Sequence, residues 1–377
     1  MKQESRWSVL TADTILRQAD SEGHHPEIAR RWAYVPGMML MAIARTGDCY
    51  NKEAYIDFMK RHMDLFVQAD GDIRGYRIEE YNLDQINQGK NLFALSAKFQ
   101  DFRYEKAPHT LAAQLLSQPR TTDGGFWHKK VYPFQMWLDG LYMSSPFLAQ
   151  YAKTYNRPEW FDEVAHQLLL VERRTRDRKT GLLYHGWDEA KEQVWADPES
   201  GRSPHFWSRA VGWYAMALVD SLEFFPVDHP KRGTLMGIFE RLCRALGRYQ
   251  EKESGLWFQV LDQGFREGNY LETSGSSMFI YALAKGLRLQ YLEQPSRSIA
   301  VRAYEGLINR FVEVNDAGVH LHSICHGAGL SDDRNGSYEY YINEKVVSDA
   351  QIGVAPFILA SLEMEMLEDS RVGGGSL

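Results

Sequence analysis

Two aspartates stand where acid–base chemistry is easiest to arrange. Asp139 lies in Met136-Trp137-Leu138-Asp139-Gly140-Leu141-Tyr142-Met143, an apolar and aromatic stretch that opens a helical run. Burial there raises a carboxyl pKa and a helix N-terminus lowers it, so two effects compete. If burial prevails, Asp139 donates a proton near neutral pH. Asp84, in Asp84-Gln85-Ile86-Asn87-Gln88-Gly89, holds the matching place one repeat earlier, with Asn87 one turn along on the same face. Alone, either aspartate reads as a helix cap. Sharing one mouth, they read as an acid–base site.

The stretch His205-Phe206-Trp207-Ser208-Arg209-Ala210-Val211-Gly212-Trp213 sets a guanidinium between two indoles. Arginine suits bidentate recognition of a carboxylate, and flat indole faces stack on sugar rings; a structural cation–π pair is the plainer alternative. His185, in a loop beside Trp187, is a candidate sugar contact. Lys129, in Trp127-His128-Lys129-Lys130, would add positive charge near the mouth. His320, His322, Cys325 and His326 invite a zinc reading, but no second Cys or His cluster completes a ligand set, so no metal is expected. Neither a phosphate loop after a strand, nor a nucleophile elbow, nor HExxH is present, and no cofactor is expected.

What must position these residues is an internal repeat. Six times a polar or aromatic cluster is followed by a glycine and a helical apolar run. The glycines are Gly37, Gly89, Gly140, Gly212, Gly275 and Gly353, spaced 52, 51, 72, 63 and 78 residues apart. Between them lie amphipathic segments such as 52–69, 158–175, 230–251 and 296–314. Inner helices apolar nearly all round, alternating with outer helices that keep one wet face, predict an all-α (α/α)6 barrel of six hairpins. One domain spans 1–370, with a flexible tail over 371–377. Weak strand signals at 181–185 and 255–260 predict short hairpin arms in loops. If the inner helices run the same way, their N-termini meet in a funnel that favours an anionic ligand, and the glycines allow close approach.

Composition narrows the partners. The 377 residues carry a net charge of −7, which gives no footprint for nucleic acid or an anionic membrane. No apolar run nears the ~18 residues of a membrane span, and Met1 to Leu10 has no apolar core of a signal peptide. Three distant cysteines imply no disulfide framework, which fits a reducing, cytoplasmic setting. Aromatic residues make up 13% of the chain, enough for a packed core, a sugar-stacking cleft, or both. Phe93 and Phe279 are expected in the core; Trp137, Trp207 and Trp213 are expected at the sugar site. A monomer or weak homo-oligomer is expected.

The motifs WLDGLYMSSPFLAQYA, DQINQGKNL, FWSRAVGWYAMALVD and HSICHGAG…GSYEYYINEKVVSDAQIGVAPFILA together resemble the unsaturated rhamnogalacturonyl hydrolases of glycoside hydrolase family 105. The resemblance runs from about Trp32 to Glu363. It implies that Asp139 is the general acid/base, that Asp84, His185, Trp207 and Arg209 contact substrate, and that Tyr34, Lys129 and Trp137 join them. It implies as substrate a Δ4,5-unsaturated galacturonate α-linked to rhamnose, a small anionic sugar whose vinyl ether is protonated at C4 and hydrated at C5. On this view Asp84 supports Asp139 by hydrogen bonding and by raising its pKa as a like charge. Aglycone tolerance would depend on the loops 177–202 and 323–343. The nearest rival is an unsaturated glucuronyl hydrolase acting on glycosaminoglycan fragments. A sugar epimerase would place paired histidines across the funnel instead of Asp and Arg, and a non-catalytic sugar-binding barrel would tolerate loss of Asp139.

Overall fold

A computed structural model describes residues 6–373. The chain runs through α1 (Trp7–Arg17), α2 (Tyr34–Tyr50), α3 (Glu53–Asp64), α4 (Lys90–Phe99), α5 (Phe102–Ser117), α6 (Leu138–Thr154) and α7 (Glu159–Thr175). It continues through α8 (Ser208–Leu222), α9 (Arg232–Tyr249), α10 (Thr273–Arg288), α11 (Pro295–Phe311), the short α12 (Tyr338–Asn343) and α13 (Gln351–Gly373). Helices α2, α4, α6, α8, α10 and α13 pack each against the next, and α13 returns to α2, closing an inner ring. Outside it, α3, α5, α7, α9 and α11 back the five preceding inner helices, and α1 backs α13. The architecture is the (α/α)6 barrel expected from the repeats.

The apolar patterning explains the two layers. Every residue of α8 is buried, and α10 is buried from Thr273 through Gly286, as helices wetted on no side must be. The outer α9 buries only Leu235, Ile238, Phe239, Leu242, Cys243, Ala245 and Leu246, a stripe at helical spacing. Phe279 is fully buried, and Phe93 packs on Phe147 with ring centroids 5.4 Å apart, as expected of core residues. The ring is closed by its own ends. Buried Glu365 on α13 accepts from the backbone N of Ser8 (3.0 Å), the Ser8 hydroxyl (2.5 Å) and the Tyr50 hydroxyl (2.8 Å). Helix α13 runs on to Gly373, into the expected tail; residues 374–377 lie outside the described residues.

Strands are few and lie elsewhere than the sequence suggests. Antiparallel β1 (Gln135–Trp137) pairs with β2 (Gly186–Asp188), β3 (Val312–Asn315) with β4 (Gly318–Leu321), and β5 (Ile324–Cys325) with β6 (Val346–Val347). The arms expected over 181–185 and 255–260 reduce to isolated bridges, Arg176 with Leu183, Trp207 with Val260, and Phe258 with Leu271. Their partners are single residues of neighbouring loops, so no ladder propagates.

The glycines at the inner-helix starts serve neighbouring elements more than a ligand. A Cβ on Gly37 would stand 2.7 Å from Gln88, and one on Gly140 would stand 2.8 Å from the His128 ring. They let the start of one repeat touch the start of the next. Deeper in the barrel the inner helices enclose a polar plug. Asp220 accepts from Lys285 (2.7 Å) and Tyr281 (2.6 Å), Lys285 also reaches Glu223 (2.7 Å), and Arg45 donates to Tyr281 (2.9 Å). The Lys90 ammonium lies 3.8 Å from the Tyr142 ring centroid with no hydrogen-bond partner.

Candidate active site

The starts of α2, α6 and α13 and the turn before α4 surround a cavity of about 980 Å³. Tyr34, Asp84, Lys129, Trp137 and Asp139 all line it, together with His128, Tyr132 and Met143. The short ladder β1–β2 fixes the centre of this site. It sets Trp137 opposite Gly186, so that Asp139, two residues past Trp137, meets His185, the residue before Gly186. The backbone N of Leu138 donates to the His185 carbonyl (3.0 Å), locking the two loops in register.

Asp139 Oδ2 stands 3.2 Å from Nε2 of the fully buried His185. Neither atom has another partner, and the ring N–H is not aimed along the line between them. Such contacts are often loose in an unliganded acid–base site and tighten on binding. Burial pushes the Asp139 carboxyl up, but His185, His128 and the helix-start N–H together hold it below the ordinary aspartate value. The expected contest therefore resolves against burial in the unliganded protein. Asp84, expected to raise Asp139 as a like charge, carries a counter-ion of its own. Asp84 is paired with the Lys129 ammonium at 2.6 Å, and His128 Nε2 lies 3.6 Å from its other oxygen. Burial pulls Lys129 down, yet the Asp84 carboxylate holds it above its usual value. Buried His128 is pushed down to about 4, so it stays neutral at physiological pH.

Several expected sugar contacts lie behind the wall. Asn87 is buried with its amide donating to the Tyr142 carbonyl (3.2 Å), because the turn before α4 rotates it away from Asp84. Arg209 is buried against the Trp207 ring, and its guanidinium donates to Ser274 Oγ (3.1 Å) and the Cys325 carbonyl (2.7 Å). Trp207 donates from its indole to Gln259 (3.1 Å), and Trp213 stacks on Tyr142 with centroids 4.9 Å apart. His185 touches Asp139 but does not line the cavity. Of the three tryptophans expected at the sugar site, only Trp137 lines it, its ring stacked with those of His128 and Tyr132 at 4.8 Å from each. The funnel is also less open than expected: the α10 N-terminus is already filled by the buried Glu272 carboxylate, which accepts from Ser274 and Gly275.

The cavity wall also holds residues that the sequence did not single out. Exposed Arg30 and Arg31 precede α2, and exposed Arg334 comes from the loop 323–343, which also supplies Ala328, Gly329, Leu330 and Ser331. None of these had a periodic or motif signal. The loop 177–202, expected to matter for the aglycone, contributes no wall residue. His326 does line the cavity, whereas His320 pairs with Asp349 (2.8 Å) and His322 with Ser348 (2.7 Å). Among the described residues no group of three His, Cys, Asp or Glu side chains is arranged to hold a metal.

The profile of Glycosyl Hydrolase Family 88 matches residues 7–368. The chain belongs to this family. Family 88 is here joined to family 105 by a solved structure of a C. acetobutylicum glycoside hydrolase from family 105. That chain is 44% identical, superposes with a TM-score of 0.92, and aligns over 96% of this chain and 100% of its own. A protein of Agrobacterium fabrum is 39% identical over 236 residues, 60% of this chain and 99% of its own length. The unsaturated rhamnogalacturonyl hydrolase YesR of Bacillus subtilis is 27% identical over 275 residues, 71% of this chain and 74% of its own. An unsaturated glucuronyl hydrolase specific for heparin shares the fold at a TM-score of 0.69 and 14% identity. This family 88 member is therefore a glycoside hydrolase on a helical barrel.

Proposed function

We propose that this glycoside hydrolase removes a Δ4,5-unsaturated galacturonyl residue from rhamnose by hydrating its vinyl ether. The observation that carries the reading is the unequal state of the two carboxylates. Asp84 is held by an ammonium 2.6 Å away, whereas Asp139 has an imidazole, that of His185, at 3.2 Å. An ordinary glycosidase works both members of a carboxyl pair across the scissile bond. A carboxylate bound to lysine is poorly suited to nucleophilic attack or proton transfer, which leaves one working acid. One acid suffices for a vinyl ether. Asp139 gives its proton to C4, and positive charge spreads over C5 and the ring oxygen. The Asp139 carboxylate then takes a proton from water as the water oxygen bonds to C5. The hemiketal opens by breaking the bond from C5 to the ring oxygen, and the resulting hemiacetal at C1 releases rhamnose.

The substrate supplies what the unliganded site lacks. Its own carboxylate and the water it displaces both favour the neutral form of Asp139, raising a pKa that stands low in the free protein. Arg30, Arg31 and Arg334 on the wall, and Lys129 beside Asp84, are cations available to that carboxylate. Arg209 acts from behind, through Ser274 and Cys325. Preference for rhamnose as the released sugar rests on the family 105 motifs and on the likeness to YesR. A cytoplasmic setting is part of the same reading, in keeping with three free cysteines. No helix among the described residues is long and apolar enough to cross a membrane.

The test follows the ultraviolet absorbance of the conjugated enol ether, with unsaturated galacturonyl-rhamnose and an unsaturated glycosaminoglycan disaccharide offered separately. Rapid loss is expected with the first, and Asp139→Asn should slow it by on the order of 10²–10⁴-fold. In D₂O the product should carry deuterium at C4. A wild-type rate in Asp139→Asn, or no deuterium at C4, overturns the mechanism, and a clear preference for the second disaccharide overturns the substrate.

A further inference from the structure

Behind Asp139 lies a line of buried groups that its role as acid does not by itself require. Nδ1 of His185 is 2.8 Å from the hydroxyl of Tyr341, on α12, while Nε2 faces Asp139 at 3.2 Å. Both rings are wholly buried. The tyrosine is itself clamped. Its carbonyl accepts from Gln259 Nε2 (3.1 Å), whose amide oxygen accepts the Trp207 indole, and the Trp207 ring lies nearly parallel to Tyr341 at 6.0 Å. Trp207 also packs on His185 at 4.8 Å, and Trp137 closes the remaining side at 5.5 Å. Thus Trp207, which misses the cavity, helps to house one imidazole.

We propose that Tyr341 is a positioning residue that holds His185 in the tautomer with its hydrogen on Nε2, so that Asp139 always meets a donor. A tyrosine hydroxyl both donates and accepts, but only one arrangement suits an ionised neighbour. If Tyr341 donates to Nδ1, the ring hydrogen sits on Nε2, the nitrogen that stands 3.2 Å from the Asp139 carboxylate. With the opposite tautomer, a nitrogen lone pair would face carboxylate lone pairs in a buried site, which is repulsive. The remaining groups around Asp139 set the background charge. They are His128 and Lys129 from the loop before β1, Asp84 from the turn before α4, Tyr34 on α2 and Arg209 on α8. Around Tyr341 stand Tyr340, Cys325 and Glu344. Lys129 is committed to Asp84 and Arg209 to Ser274 and Cys325, which leaves His185 as the adjustable donor. Loss of the Tyr341 hydroxyl frees the tautomer, weakens the ionised form of Asp139 and raises its pKa.

This inference rests on Asp139 being the acid, and the experiment keeps the two claims apart. The full chain is labelled with ¹⁵N-histidine, and the His185 signals are identified by their loss in His185→Gln. The nitrogen shifts show directly which ring atom carries the hydrogen, with no substrate present. Nε2–H is expected, and Nδ1–H overturns the proposal whatever the enzyme acts on. The second arm is the pH profile of kcat in Tyr341→Phe. Since the acid must be protonated to donate, activity falls as pH rises through the Asp139 pKa. In the variant that limb should move to higher pH, and kcat should fall on the order of tenfold, a part of the ~10²–10⁴ that acid–base catalysis supplies. KM should change little. A loss of thermal stability with the limb unmoved would mark Tyr341 as merely structural and overturn the proposal. Should Tyr341→Phe fail to fold, the tautomer of the wild-type protein still decides.

Discussion

At the scale of single residues, the site is governed by which carboxylate has a cation and which has an imidazole. Lys129 neutralises Asp84 while remaining about one-fifth exposed, so the pair sits where substrate and salt can both reach it. Removing the ammonium leaves a bare carboxylate on a wall that must accept an anionic sugar. Lys129→Ala should therefore raise KM by about tenfold, roughly 1.4 kcal/mol, with a smaller change in kcat. Added salt should narrow the difference between wild type and variant, because the exposed part of the repulsion is screened. Steady-state rates on the unsaturated disaccharide at low and high ionic strength check this, and an unchanged KM would place the substrate carboxylate elsewhere.

At the scale of elements, the inner helices carry charge as well as apolar surface. Lys90 opens α4 with its ammonium against the Tyr142 ring, and burial pushes its pKa down to about 7, opposed by Asp220 and assisted by Arg45 and Lys285. In the unfolded chain the same group titrates near 10.4. Between these values the unfolded chain binds the proton that the folded one lacks, so stability rises with pH from about 7 to about 10.4. Below pH 7 the full cost of a buried, weakly partnered cation is present. Lys90→Met, which keeps the length and lays a thioether on the ring, should stabilise the protein at neutral pH by on the order of 1–4 kcal/mol. It should also flatten the rise on the alkaline side. Denaturant midpoints of both proteins at several pH values would show it. A loss of stability at pH 7 would mean that the plug depends on this charge.

At the scale of the whole molecule, the barrel is a ring that the two ends of the chain must close. Helix α1, before the first inner helix, backs α13, the last one. The buried polar part of that seam is Glu365 with Ser8 and Tyr50, and an Arg6–Asp369 ion pair lies at its exposed edge. Burial holds the Glu365 carboxyl above its ordinary value, and the Ser8 contacts oppose that rise only in part. Ser8→Ala removes one of these donors from a buried carboxyl and should cost about 1–3 kcal/mol. Thermal unfolding would register it as a lower midpoint, with kcat and KM unchanged because Ser8, Tyr50 and Glu365 do not line the cavity. A drop in activity at unchanged stability would show that the seam communicates with the site.

The fold was legible because each inner helix must be apolar on all sides and each outer helix on one, a demand that any closed double ring writes into its sequence. Asp139 stood out for a related reason: it is a carboxyl in the first turn of an otherwise apolar helix, in the place that Asp84 holds one repeat earlier. Its partners did not. His185 and Tyr341 are 46 and 202 residues further along the chain, and only the β1–β2 register and the docking of α12 bring them together. Asn87, Trp207, Arg209 and Trp213 had the right types for sugar contact, yet side-chain type cannot say which way a helix start is turned. Packing turned them inward, where they hold the acid's surroundings instead of the sugar. The order of the helices and the placing of Asp139 at an inner-helix start thus follow from local pattern. The histidine beside Asp139, the lysine on Asp84 and the cations on the wall follow from long-range contact, because electrostatic interactions depend on distances that no spacing in the chain encodes.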